Sequence, residues 1–294
     1  MRFKLPYNDG IFELDFPRRG EVEVVGDRFS PPIPDQGLAF QRALDQPVDS
    51  PPLRDLLPAE GRVSVLISDL TRGAGLGSIL HYLLEYLEEL GFGPKRVEIM
   101  LATGMHRGHS RRELEAHLGR DIVSRWRVLE HNAVDRDSLV RVGETPAGTP
   151  CLFNERIVDS GLIVVLGSIS FHYFAGYGGA RKLILPGIAG EETIISNHRL
   201  SLRDDPAGGL SDGCRPGNLE GNPVHEDMLA GAKLLPSPVF VINSVSDDKG
   251  GVLFLNSGSL EKSHRDACAF LWSNFRIPLE RFYGAVIISA GGFP

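Results

Sequence analysis

From residue 62 onward, apolar residues come in short unbroken runs, separated by longer stretches in which they recur every three or four positions. That is the signature of buried strands alternating with amphipathic helices. RVSVLISD, over 62–69, is one such run. The helix expected after it, LGSILHYLLEYLEELG, places Leu76, Ile79, Leu80, Leu83, Leu84 and Leu87 on one face and stops at Gly91. RVEIMLAT is the next strand and SRRELEAHLG the next helix, with Ser110 as its cap and Glu113 three residues on. Further strands are expected at RWRVLEHN, GLIVVLGSIS, PVFVINSV and YGAVIISAGG. Helices are expected at NPVHEDMLAGAKLL, where Asn222 caps and Pro223 takes the first turn, and at SLEKSHRDACAFLWSNF. This order predicts an α/β fold with a mainly parallel sheet flanked by helices.

Ahead of residue 62 the pattern differs. RFKL and IFELDF alternate with period two on either side of Asn8, Asp9 and Gly10, which predicts an N-terminal β-hairpin. The proline-rich stretch that follows is too broken for long elements, so it reads as a surface crossing with one short helix at Leu38 to Leu44. There is no internal repeat, low-complexity tract or heptad pattern.

In open parallel sheets, ligands bind beyond the carboxyl ends of the strands. Three predicted strands end in polar, glycine-bearing loops: SDLTRGAG, ATGMHRGH and the loop that opens after VVLGSIS. Asp69, Thr71, Arg72, Thr103, His106, Arg107, His172 and Lys182 are therefore expected on one rim. Arg72 suits a carboxylate or phosphate through its planar fork, although SDLTRGAG also reads as a turn that caps the next helix. His106 and His109 have no helix to hold them on one face, so His106 reads as a general acid or base and His109 as a loop surface residue.

GYGGARK is the strongest signal. Gly176, Gly178 and Gly179 permit close backbone approach, with Arg181 and Lys182 available to phosphate. It is neither a Walker loop nor the glycine fingerprint of dinucleotide binding. A lysine in such a loop also serves as a covalent attachment point when burial makes its amine reactive. His198 follows EETIISN, at the end of a short expected helix.

Global properties narrow the partners. A net charge of -7 with no concentrated basic face excludes a general nucleic-acid binder. No segment has the length and apolarity of a membrane span and nothing resembles an export signal, which places the chain in the cytoplasm. Apolar content of 42% and charged content of 23% are those of a globular domain, and 294 residues allow one large domain or two unequal ones. Cys151, Cys214 and Cys268 are odd in number and widely spaced, as expected of reduced thiols.

Taken in order, DLTR, TGMHR, HYFAGYGGARKLILPGIAG, SNH, GNPVHEDML and the closing SAGGFP resemble the nickel-dependent lactate racemases and their 2-hydroxy-acid racemase and epimerase relatives. The resemblance spans nearly the whole chain. It implies racemisation or epimerisation of a small 2-hydroxy acid, by proton removal and hydride transfer to a nickel pincer nucleotide. That cofactor is a pyridinium-3,5-bisthiocarboxylic acid mononucleotide, covalently attached here at Lys182, with His198 as the protein ligand to nickel. His106 and His172 are implied as the two acid/base residues and Arg72 as the group that orients the substrate carboxylate. Asp69, Thr71, Gly178, Gly179 and Arg181 are implied around the cofactor, and cofactor-biosynthesis proteins as partners. Residues 1–275 are implied as the cofactor-binding and catalytic domain, and 276–294 as the start of a second α/β domain that is cut short.

Two departures from the family pattern stand out. DLTRGAG lacks the proline that often follows the arginine, and GYGGARK stands where GYSGGRK is usual. Two alternatives stay open from the residues alone. One is a non-catalytic cofactor-binding module. The other is a nickel-free enzyme that recognises a nucleotide or phosphate through GYGGARK and uses His106 as its base.

Overall fold

The computed structural model describes residues 2–7, 10–16, 22–24, 30–70, 76–205, 208–247, 249–279 and 281–288. The described residues from Ser30 to Asn274 belong to one compact unit, and those before Ser30 and from Phe275 on belong to another. In the smaller unit, β1 (Arg2–Tyr7) pairs with β2 (Gly10–Asp15) as an antiparallel hairpin, with Arg2 facing Asp15 and its Nε 3.0 Å from the carboxylate. Residues 283–288 form no strand where YGAVIISAGG predicts one, and 289–292 lie outside the described residues.

The larger unit begins with α1 (Gln36–Asp45), whose first turn is closed by the Asp35 carboxylate accepting from Leu38 N, and a short α2 (Leu53–Leu56). It continues through β3 (Val63–Ser68), α3 (Leu76–Glu89), β4 (Val97–Ala102), α4 (Arg111–Leu118), α5 (Arg120–Arg125) and β5 (Arg127–Glu130). The predicted capping box at Ser110 and Glu113 is present at α4. An antiparallel ribbon of β6 (Leu139–Glu144) and β7 (Pro150–Asn154) follows, then α6 (Glu155–Val158), β8 (Leu162–Ser168) and the two-residue pair β9 (Phe171–His172) and β10 (Gly176–Tyr177). The chain continues through α7 (Arg181–Ile184), α8 (Glu191–Arg199), α9 (Pro223–Ala232), β11 (Val239–Ser246), β12 (Val252–Gly258) and α10 (Lys262–Phe275), whose last residue is the first beyond this unit.

Six strands form the central sheet in the order β12-β11-β8-β3-β4-β5, parallel throughout except for β12. Side chains alternate between its two faces. Val63, Val65 and Ile67 of β3 pack with Leu80, Leu83 and Leu87 of α3 on one face. Leu66, Met100, Ile163 and Val165 pack with Ile184, Ile194 and Met228 on the other. Both faces are thus covered, which is why the parallel strands read as unbroken apolar runs.

The chain builds outward from β3 to β5, then crosses back and adds β8 and β11 on the opposite side of β3. The switch point of the topology lies between β3 and β8, the place where such sheets open a crevice. Pairing across this junction stops at Leu66 and Val165. β3 stays paired with β4 to Ser68, and β8 with β11 to Ser168. The carboxyl ends of β3 and β8 therefore part company, and the loops carrying Asp69 and GYGGARK leave from the two sides of the gap.

Candidate active site

The loop after β8 folds back onto its own strand. A Cβ on Gly167 would stand 2.4 Å from Ala180 N, and one on Gly179, where φ is +73°, would meet Ile169 Cδ1 at 2.4 Å. The close approach these glycines permit is therefore to the chain itself. Ala180, with φ +39°, sits in the left-handed region that favours glycine, at the position where GYSGGRK has one.

This turn delivers Lys182 into the interior, with only 5% of the residue exposed. Its Nζ lies 5.5 Å from the centre of the Phe174 ring. The His198 ring, from the last turn of α8, meets Phe174 edge-on at 5.1 Å, and the His172 ring does so at 4.6 Å. Phe174 is thus the common neighbour of three residues singled out in the sequence. The β9–β10 pair makes this possible, because it reverses the chain between His172 and Gly176 and turns Phe174 inward.

His106 arrives from the end of β4. Its loop is tied to the segment beyond Lys182 by Gly104 N donating to Gly187 O at 2.9 Å, while Gly187 N donates to Lys182 O at 3.0 Å. His106 Nδ1 lies 2.6 Å from Asp69 Oδ2, at the end of the neighbouring β3. The Asp69 side chain is 3% exposed and that of His106 48% exposed, so a buried carboxylate holds an imidazole whose far edge is open. Nothing in the spacing of DLTR and TGMHR gives this contact; the adjacency of β3 and β4 does.

Several residues singled out in the sequence make other contacts. Arg181 is fully buried, and its guanidinium donates to His264 Nε2 at 2.8 Å and to the carbonyls of Ala175 and Tyr177 at 3.0 and 3.2 Å. It brackets the loop to α10 from inside the protein. Burial lowers its pKa to about 10, so it remains charged at neutral pH. Thr103 Oγ1 donates to His131 O at 2.6 Å inside the protein, and Arg107 pairs with Glu113 on the surface. His109 is not the surface residue expected of it: its side chain is 4% exposed and its Nδ1 is bonded to Glu130 at the end of β5. Thr71 and Arg72 lie outside the described residues. All three cysteines are buried and unbridged. A cavity of about 560 Å³ runs along another face of α8, bounded by Arg136, Leu152, Glu191 and Arg199, and none of the residues around Phe174 lines it.

One supporting network escaped the sequence reading, although both motifs that build it were visible. Asn197 of SNH donates to Val224 O at 3.3 Å and to Asp227 Oδ2 at 2.8 Å, and Asp227 belongs to NPVHEDML. The same buried carboxylate accepts from the hydroxyls of Thr145 and Thr149. The residue beside His198 is thereby fixed to α9 and to the β6–β7 turn. Asp227→Ala strands three buried donors and should destabilise the fold by about 3 kcal/mol. A lower denaturant midpoint at unchanged slope would show it, and an unshifted midpoint would contradict it.

Among the described residues, no group of three or more His, Cys, Asp and Glu side chains is placed to hold a metal by itself. Among the same described residues, no helix is long and apolar enough to cross a membrane.

Residues 7–209 match the family described as Lactate racemase N-terminal domain. The chain is 32% identical over 254 residues to the lactate racemase of Lactiplantibacillus plantarum, an overlap covering 86% of this chain and 58% of that protein. It is 32% identical over 294 residues to the lactate racemase of Thermoanaerobacterium thermosaccharolyticum, covering 99% of this chain and 67% of that one. The chain therefore spans about three-fifths to two-thirds of the length of these relatives. The fold superposes on the lactate racemase apoprotein from Thermoanaerobacterium thermosaccharolyticum with a TM-score of 0.79 at 29% identity, over 93% of this chain and 63% of that one. A protein from Thermotoga maritima shares the fold alone, with a TM-score of 0.61 at 19% identity over 82% of this chain and 59% of that one.

Proposed function

Because the chain belongs to the lactate racemase N-terminal domain family, we propose that it carries the cofactor and the acid–base residues of an enzyme that interconverts the enantiomers of lactate or a related small 2-hydroxy acid. The observation that carries this reading is the convergence of Lys182, His198 and His172 on Phe174, with His106 held at the neighbouring strand end by Asp69.

The residues present suit a lysine-linked nickel pincer nucleotide. Lys182 is a buried amine beside the Phe174 ring, at the position proposed for covalent attachment. His198 supplies one imidazole on the same aromatic neighbour, and a nickel ion held there needs its remaining donors from the cofactor. When bound, that group accepts a hydride from the substrate carbon and returns it. The chain's own part is to bind, orient and move protons. Arg72, from the loop after β3, is proposed as the clamp on the substrate carboxylate. The hydroxyls of opposite enantiomers point in different directions, so two imidazoles, His106 and His172, serve one each. Loading requires cofactor-making proteins, and the cytoplasm, where buried thiols such as Cys151, Cys214 and Cys268 stay reduced, is the proposed setting.

The test is the intact mass of protein co-expressed with the cofactor-making enzymes, read beside chiral analysis of 2-hydroxy acids incubated with it. An adduct present in the native chain and absent from Lys182→Ala is expected, together with loss of optical activity. Identical masses for the two proteins would overturn the attachment. Adduct and nickel without any change in enantiomer ratio would leave a binding module in place of an enzyme.

A further inference from the structure

We infer that the two histidines of this site are pre-set in opposite tautomers, His106 presenting a lone pair at Nε2 and His172 presenting an N–H at Nε2, with Asp69 as the positioning residue that sets the first. The inference deepens the proposed acid–base role, yet the tautomers are properties of the cofactor-free chain.

The argument rests on what stands behind each ring. An ionised carboxylate only accepts hydrogen bonds, so His106 Nδ1, 2.6 Å from Asp69 Oδ2, carries the hydrogen. In the neutral ring the lone pair is then at Nε2. A backbone amide N–H only donates, so His172 Nδ1, 3.2 Å from Ala175 N, is the acceptor and the neutral ring keeps its hydrogen at Nε2. Neither partner is free to turn round. Asp69 is 2% exposed at the end of a central strand, and Ala175 is fully buried in the turn that joins β9 to β10. The His172 ring is also held in place, stacked on Tyr173 at 4.9 Å with an interplanar angle of 16° and set edge-on to Phe174.

The consequence is an unequal pair. A hydroxyl can donate to His106 at once, with the carboxylate of Asp69 supporting the positive ring that results, as in a Ser-His-Asp triad. His172 in its resting form donates a hydrogen bond to a substrate oxygen. It becomes a base only when its hydrogen moves to Nδ1, which breaks the bond from Ala175. The enantiomer whose hydroxyl faces His106 therefore needs no rearrangement of the site.

Long-range proton–nitrogen correlation spectra of the ¹⁵N-histidine-labelled, cofactor-free chain at mildly alkaline pH read the tautomers directly, with His106→Gln and His172→Gln assigning the two rings. Protonated Nδ1 in His106 and protonated Nε2 in His172 are expected. Asp69→Ala should move His106 toward the Nε2–H form that free imidazoles prefer and leave His172 unchanged. The same tautomer in both rings, or an Nε2–H form of His106 in the native chain, would overturn the inference. Should Asp69→Ala fail to fold, the native spectrum alone decides. Absence of the Lys182 adduct would sink the proposed function without touching these spectra, and equal tautomers in a chain that forms the adduct would sink only this inference.

Discussion

His198→Ala is expected to lose nickel while keeping the Lys182 adduct, whereas His106→Ala and His172→Ala keep both and lose racemisation by about 10²- to 10⁴-fold, the span of a positioned acid or base. The difference follows from what each ring can reach. His198 shares the Phe174 ring with Lys182 and is the nitrogen donor proposed for the metal, so alanine leaves a coordination position unfilled. His106 projects from another strand end, backed by Asp69, and alanine there removes a proton acceptor without touching the attachment lysine. His172 lies between: its ring packs on Tyr173 and Phe174, so alanine also costs some packing. Nickel content, thermal stability and activity must therefore come from the same three preparations. Histidines that served only as packing would give lower melting temperatures with normal specific activity in the folded fraction. Full activity of either His106→Ala or His172→Ala would overturn the two-base assignment, whatever became of nickel.

How much of this was legible depended on burial. β3, β4, β8 and β11 are covered on both faces, so their unbroken apolar runs announced them, and the loops beyond three of them announced the rim. β12 is buried only at its two ends, with half-buried Phe254, Leu255 and Asn256 between, and β6 has no buried position at all, so neither produced a comparable run. The polar contacts were less accessible still. Arg181 looked like an anion receptor because its partners are two carbonyls and one histidine some eighty residues away, and carbonyls leave no trace in a sequence. The burial of His109 needed the end of β5 beside the end of β4, which is a fact of topology. Asn197 and Asp227 were both inside motifs already noted, but only the packing of α8 on α9 joins them.

The same preference for enclosing polar rings makes the fold acid-labile in a defined window. His225 is 3% exposed, and burial first, then the charges of Arg181 and Arg265, lower its pKa to about 3. His264, 1% exposed against Arg181, is pushed well below its ordinary value by burial and by that guanidinium. Burial likewise lowers His131, which sits between Ala189 O and Asn154. In the unfolded chain these rings titrate near 6.5. Between 6.5 and the folded values the unfolded state binds more protons, so stability rises with pH there and is lost as pH falls from 6.5 toward 3. A histidine whose folded pKa lies far below this interval, as that of His225 does, contributes a slope of about 1.4 kcal/mol per pH unit, about 2 kcal/mol by pH 5, and His264 and His131 add to it in the same direction. Carboxylates with lowered pKa, such as Glu113 at about 2, act only below the unfolded carboxylate range, which keeps the interval from 6.5 to 5 diagnostic of the histidines. Denaturant midpoints measured at half-unit steps across that interval should fall steadily, and His225→Gln should flatten the slope by about one histidine's share. A profile level from pH 6.5 to 5 would mean that these rings take up protons without leaving the native state, and so that their enclosure is looser than the geometry around Arg181 implies.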